Sequence, residues 1–200
     1  KDIFEDKDHN MWIGCYRKGL YLINDERVGF TSWNFADQNY SIGCFVSSIA
    51  PGDGGTTLCA VQNSGVFRFD ASGKIIGHPD SPSGTSLIYR DHQGRYWAGT
   101  GNGLYSYDPS TGAYEKKVSY AADGTYCMTD NGQGTLYVSV YSKGLYAYDS
   151  KSGTVRRYSM SDKSAGGHLC NDWIRSMLID DDGILWIGTS NGVSCMDTRT

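Results

Sequence analysis

The sequence predicts an all-β chain built as a β-propeller fragment of about five four-stranded antiparallel blades. Three observations lead there. One phrase, an aromatic-bearing apolar triplet followed by a loop and then Gly-Leu/Val-aromatic, recurs five times; its aromatic position falls at Trp12, Cys59, Trp97, Tyr137 and Trp186. The intervals are 47, 38, 40 and 49 residues, a period that belongs to arrays and propellers rather than to a single irregular domain. The runs inside each copy are short, rich in β-branched and aromatic residues, and bounded by Asp, Asn and Gly. Finally, the second run is apolar on both alternating positions, as in Trp186-Ile187 and Trp12-Ile13, so both faces of its sheet are covered.

The copies follow in order. In the first, Ile3-Phe4-Glu5 opens a strand, Asp6 to Asn10 turns, and Met11-Trp12-Ile13-Gly14 and Gly19-Leu20-Tyr21 form the next two runs; Val28 to Trp33 supplies the fourth. The second is worn: Cys59 takes the aromatic position and Gly54-Gly55-Thr56-Thr57 replaces the usual turn. The third carries Tyr96-Trp97-Ala98-Gly99 and Gly103-Leu104-Tyr105. The fourth carries Leu136-Tyr137-Val138-Ser139, Gly144-Leu145-Tyr146 and, after Ser152-Gly153, Thr154 to Tyr158. In the fifth, Trp173 to Ile179, Leu185 to Thr189 and Val193 to Met196 are separated by Asp181-Asp182-Gly183 and Ser190-Asn191-Gly192. One partial propeller over 1–200 results, with repeats at about 1–36, 40–77, 84–120, 123–160 and 168–200. Four strands in about 40 residues is the unit of a blade. No long apolar stripe of helical period exists, which excludes a helical solenoid. The fifth copy has no outer run and the N-terminal residues offer none, so the expectation is a piece of a longer propeller whose end blades carry apolar faces. A five-bladed ring closed without a clasp is the alternative.

Ile3-Phe4-Glu5-Asp6…Asn10-Met11-Trp12-Ile13-Gly14 and Asn171-Asp172-Trp173-Ile174-Arg175-Ser176…Asp182-Gly183-Ile184-Leu185-Trp186-Ile187-Gly188-Thr189-Ser190-Asn191-Gly192-Val193 resemble the two-component regulator propeller repeat, N-x-I-x-S-I-x-x-D-x-x-G-x-L-W-I-G-T-x-x-G-L. The resemblance implies blades of a seven-bladed propeller in the extracytoplasmic, periplasmic sensor of a hybrid histidine kinase, as found in glycan-degrading bacteria. There, propellers precede an immunoglobulin-like domain, a membrane helix and cytoplasmic kinase and DNA-binding parts, none of which is in these residues.

Net charge is −4 and basic residues are scattered, which argues against a nucleic-acid partner. No apolar run is long enough to span a bilayer. Six cysteines, an even number that would permit disulfides, read instead as buried free thiols, and the lack of C-x-x-C spacing argues against a zinc site. Asp6-x-Asp8-x-Asn10 and Asp180-Asp181-Asp182-Gly183 lack the late bidentate Glu of a calcium loop and read as turn chemistry. No nucleophile elbow, H-E-x-x-H or phosphate loop appears. The expectation is therefore no enzyme activity here, no cofactor and no metal.

Binding residues are expected on one face, where the loops between second and third strands meet those leading into each first strand. Cys15-Tyr16-Arg17-Lys18-Gly19 and Val140-Tyr141-Ser142-Lys143-Gly144 are one residue longer than their counterparts and each offers a Tyr and a cation. The lead-in loops add Tyr40, Tyr126 and the group His168, Asn171, Asp172, Trp173 and Arg175. The candidate ligand residues are thus Tyr16, Arg17, Lys18, Tyr141, Lys143, His168, Asn171, Asp172, Trp173 and Arg175. Aromatic planes beside polar groups suit an oligosaccharide; for Trp173, packing between blades is an equal alternative. A scaffold that binds protein and a glycan-active propeller enzyme are the rival functions. Expected partners are an oligosaccharide, the remaining blades and neighbouring domains of the parent protein, and a second copy in a homodimer.

Overall fold

The computed structural model describes residues 2–7, 9–15, 19–24, 27–35, 45–62, 64–78, 80–121, 124–162 and 168–199. Blade 1 consists of β1 (Asp2–Glu5), β2 (Met11–Cys15), β3 (Gly19–Asn24) and β4 (Arg27–Trp33). Blade 2 holds β5 (Val46–Pro51), β6 (Thr57–Val61), β7 (Gly65–Phe69) and β8 (Ile75–Gly77), with a single 3-10 turn at Asp53–Gly55. Blade 3 holds β9 (Leu87–Arg90), β10 (Tyr96–Gly99), β11 (Gly103–Asp108) and β12 (Ala113–Ser119); blade 4 holds β13 (Thr125–Asp130), β14 (Thr135–Val140), β15 (Gly144–Asp149) and β16 (Val155–Tyr158). Blade 5 has β17 (Ile174–Ile179), β18 (Ile184–Thr189) and β19 (Gly192–Asp197), and no fourth strand among the described residues. Every blade is an antiparallel meander with its strands in sequence order. First strands pack on one another, β1 on β5, β5 on β9, β9 on β13 and β13 on β17, so they form the inner rim and the later strands fan outward. The blades succeed one another as in a β-propeller.

A turn device repeats and sets each blade. In blades 1, 3 and 5 an Asp opens the turn between first and second strands. Its Oδ1 accepts the backbone N–H four residues on, and its Oδ2 accepts the indole N–H of the Trp six residues on. The carboxylates are Asp6, Asp91 and Asp180; the indoles are Trp12 at 2.9 Å, Trp97 at 2.8 Å and Trp186 at 2.7 Å. In blade 4 both members change: Asn131 still accepts the N–H of Thr135 at 3.1 Å, and Tyr137 stands where the indole would be. Asp6 and Asp180 thus serve their turns, as read from the sequence, while Asp8 lies outside the described residues.

Blade 2 requires a correction. Strand pairing sets Leu58 opposite Arg68 and Ala60 opposite Val66, as Trp97 stands opposite Ser106 and Gly99 opposite Leu104. Leu58, not Cys59, therefore holds the aromatic position, and Gly52 holds that of the Asp. Aligning on the following glycine shifted the sequence reading by one, because the loop between Val61 and Gly65 has three residues like those after Cys15 and Val140. The period-two alternation of a strand turns a one-residue slip into a change of face. Cys59 accordingly packs with Trp12 and Ile49 toward blade 1, while Leu58 packs with Ile88 and Tyr96 toward blade 3.

Four apolar clusters fill the four interfaces between consecutive blades. The residue at the aromatic position always faces the following blade: Trp12 meets Ile49, Leu58 meets Ile88, Trp97 meets Met128, and Tyr137 meets Ile187. Two positions on, a small residue admits that blade's first strand. A Cβ at Gly14 would lie 3.2 Å from Ile49 and Val46, and one at Gly99 would lie 2.7 Å from Thr125. On blade 5 this same face is exposed: Leu178, Trp186 and Val193 are 63%, 45% and 65% accessible. Cys195, paired across the sheet with Trp186, is exposed with them. The reading of the cysteines as buried thiols therefore holds fully for Cys59 alone; Cys15, Cys127 and Cys170 are half-buried, and Cys44 lies outside the described residues.

Polar ties cross the same interfaces. Asp2 Oδ2 accepts the N–H of Ile49 at 3.1 Å, and Ser48 Oγ both donates to Ile88 O and accepts from Ile88 N. Asp130, buried on blade 4, accepts from the Tyr89 hydroxyl at 2.8 Å and from the His92 backbone N–H on blade 3, with the His92 ring Nδ1 at 2.9 Å. Burial opposes its ionisation, yet the hydrogen bonds from His92, Tyr89 and Gly132 outweigh it and hold the carboxyl below its usual range.

Two outcomes follow for stability. Asp91→Ala strands the Trp97 indole and Arg95 and is expected to cost about 2–3 kcal/mol in urea denaturation, whereas Asp180→Ala on the exposed blade costs less. Because the folded Asp130 pKa lies below that of an unfolded Asp, its stabilisation is complete above about pH 4 and fades as pH falls through the folded value. Asp130→Asn should therefore flatten the acid limb of the stability curve, measured by denaturant titration between about pH 3 and 6.

Candidate functional site

Loops after second strands and loops before first strands are fastened to one another. Gln62 N donates to Phe45 O at 3.1 Å, Tyr141 N to Gly124 O at 3.0 Å, and Ser190 N to Trp173 O at 2.9 Å. These two loop sets therefore share one face of the molecule. Between blades 4 and 5 on that face, four side chains gather. The rings of Tyr126 and Tyr141 stack with centroids 5.5 Å apart, and Tyr141 meets Trp173 at 5.1 Å. The Arg175 guanidinium carbon lies 5.3 Å from the Tyr126 centroid and 5.4 Å from that of Trp173, within cation–π range. Each member thus touches two others, and the group remains wet: Tyr126 is 46% and Trp173 43% accessible.

Local backbone features explain how these residues meet. Pairing of β13 with β14 shifts register between Thr125 and Met128, and pairing of β17 with β18 shifts between Ile174 and Ser176. Tyr126 and Arg175 occupy these irregularities, where an extra residue re-aims a side chain that the regular pleat would send elsewhere. Tyr141 begins the three-residue loop after β14, which places Ser142 at a φ of 54° and closes with Lys143 N on Val140 O at 2.9 Å. Trp173 is set by an Asx turn, its N–H donated to Asn171 Oδ1 at 2.7 Å. Asp172 Oδ1 accepts the N–H of Met160 at 2.7 Å, tying the lead-in loop to the end of blade 4. Arg175 Nε donates to Ser190 Oγ at 3.0 Å.

The ten residues expected from sequence thus divide. Tyr141, Trp173 and Arg175 come together, with Asn171 and Asp172 holding the backbone N–H groups of Trp173 and Met160 as positioning groups. Lys143 and His168 are exposed outside the ring cluster. Tyr16, Arg17, Lys18 and the lead-in Tyr40 lie outside the described residues. Tyr126, read from sequence as a loop residue, is a full member through its place on β13.

Open clefts lie elsewhere among the described residues. One of about 780 Å³ runs across blade 3, from Asp53 of blade 2 to Ser150 of blade 4, over Trp97, Tyr107 and Tyr148; these three rings are at most 5% accessible. Another of about 590 Å³ is bordered by His92, Asp130 and Asp180, whose carboxylates are already bonded to Tyr89, His92 and Trp186. Among the described residues no group of three or more His, Cys, Asp or Glu is placed to hold a metal ion.

Residues 1–17 and 168–191 match the family model described as two component regulator propeller; the second segment contains Asn171, Asp172, Trp173 and Arg175. No curated protein matches the chain. Among solved structures, it is similar to two extracellular domains from B. thetaiotaomicron, each described as that of a hybrid two component system. One has a TM-score of 0.79 at 18% identity, covering 97% of this chain and 26% of that one. The other has a TM-score of 0.76 at 21% identity, covering 98% and 27%. A surface component of the type-IX secretion system of Porphyromonas gingivalis is similar at a TM-score of 0.52 and 15% identity, covering 99% and 38%. These likenesses support the propeller fold, and the chain spans about a quarter of the length of the first two.

Tyr141 is the centre of the ring cluster. Tyr141→Ala removes two ring contacts and is expected to reduce near-UV circular dichroism and cost roughly 1–3 kcal/mol, read by denaturation beside the native chain.

Proposed function

We propose that this chain, whose first and last blades carry two component regulator propeller repeats, is part of the extracytoplasmic, periplasmic sensor of a hybrid two component system and binds an oligosaccharide without turning it over. The observation that carries this reading is the wet cluster of Tyr126, Tyr141, Trp173 and Arg175 on the loop face. A pyranose presents C–H patches that lie against aromatic rings and hydroxyls that bond to flanking polar groups. The cluster straddles two blades, so a ligand held there touches both and acts by favouring one arrangement of them over another. The kinase step belongs to other parts of such a protein.

The exposed strip of Leu178, Trp186 and Val193 supports partners as well. It repeats the face that Trp12 and Trp97 turn to their following blades, and a further blade of the parent propeller is the cover it suits. A neighbouring domain or a second copy is the alternative occupant, and a pure scaffold would use this strip and leave the ring cluster empty.

The test is calorimetric titration of the full chain with neutral and acidic oligosaccharides, followed by Tyr141→Ala and Trp173→Ala. Binding that weakens about tenfold or more in both variants, the loss of one stacking partner plus its ordering, supports the reading. Binding indifferent to both, or product formation, contradicts it.

A further inference from the structure

We infer that the ligand is an acidic oligosaccharide and that Arg175 takes its carboxylate; this rests on the glycan reading above and adds the charge of the sugar. The chain as a whole is acidic, at −4, yet the charged member of this cluster is a cation, Arg175. Lys143, two residues after Tyr141, and Arg175 are exposed. Arg157 Nε donates to the Lys143 carbonyl at 2.8 Å, tying β16 to the loop that carries Tyr141. The one carboxylate on the loop leading to Trp173, Asp172, spends Oδ1 on the Met160 N–H.

Arg175 is built as a fork with its prongs open. Nε is anchored on Ser190 and the guanidinium lies against two rings, so its rotamer is already fixed. Its Nη1 and Nη2 have no hydrogen-bond partner among the described residues. A guanidinium held this way loses little freedom on binding, and its parallel N–H pair matches the two oxygens of a carboxylate. A uronic acid offers that carboxylate on the same ring whose C–H face lies on an aromatic shelf. A neutral hexose would leave the fork to water.

The experiment is a glycan array probed with the full chain, carrying uronic-acid oligosaccharides of several linkages as free acids and as methyl esters, with neutral and sulfated oligosaccharides beside them. Free acids should be bound at least about tenfold more tightly than their esters, the worth of one charge-assisted pair, and the preference should fall as salt rises. Arg175→Gln should erase the ratio, so that free acids and esters bind that variant equally; Arg175→Lys, which keeps the charge and loses the fork, should restore only part of it. Near-UV circular dichroism of each variant reports whether the rings still stack. Esters or neutral glycans bound as well as the acids, sulfated glycans preferred over uronates, or an Arg175→Gln variant with the ratio intact overturns the inference and leaves the glycan reading standing. No glycan bound at all overturns both.

Discussion

An indole N–H held by a carboxylate six residues upstream is the interaction on which the rest of this chain depends. It does two jobs at once. The Asp closes the turn between first and second strands through backbone N–H groups, and it fixes the rotamer of a Trp whose ring must face the next blade. Trp12 and Trp97 are 1% and 3% accessible, so their N–H groups would otherwise lie buried without partners. The pair changes as a unit within the chain. Blade 4 has Asn131 with Tyr137, and blade 2 has Gly52 with Leu58. Where the indole goes, the carboxylate that answered it goes too. In blade 2 the neighbouring Asp53 instead bonds the Tyr96 hydroxyl and Arg90 of blade 3. An inter-blade tie thus stands where the clamp would be.

From the clamp the geometry builds outward. An aimed Trp and a small residue two positions on let the next blade's first strand approach closely, as Gly99 does for Thr125. Close first strands form the inner rim. The loops before them then reach the loops after the second strands, and Gly124 and Trp173 carbonyls accept the N–H groups of Tyr141 and Ser190. Only after those bonds are made do Tyr126, Tyr141, Trp173 and Arg175 share a surface. A ring cluster on two blades therefore depends on the packing of Tyr137, Leu145 and Ile187 between them.

Much of this was legible in the sequence because repetition is legible. Five copies of a phrase with turn residues at fixed offsets fix strand number and order, and the two-sided apolarity of Leu185-Trp186-Ile187 announces covered faces. The misplacement of Cys59 has a plain cause: glycine spacing cannot distinguish a two-residue from a three-residue loop, and only pairing of Leu58 with Arg68 settles the face. The ring cluster was half legible. Tyr141 and Trp173 stood out as aromatics in polar loops. The irregularities that turn out Tyr126 and Arg175 follow from strand register, which no single copy of the repeat reveals, so Tyr126 read as a loop residue and the contact of Arg175 with two rings was invisible.

The most direct measurement is a nitrogen–proton correlation spectrum of the five indole groups, recorded while an acidic oligosaccharide that binds the chain is titrated in. The Trp12 and Trp97 N–H groups are buried on Asp6 and Asp91, and that of Trp186 is bonded to Asp180 on the far face of blade 5. Trp173 lies in the cluster. The account predicts that the Trp173 signal moves in saturable proportion to ligand while those of Trp12 and Trp97 hold still. A Trp173 signal that stays in place while the ligand binds would contradict it.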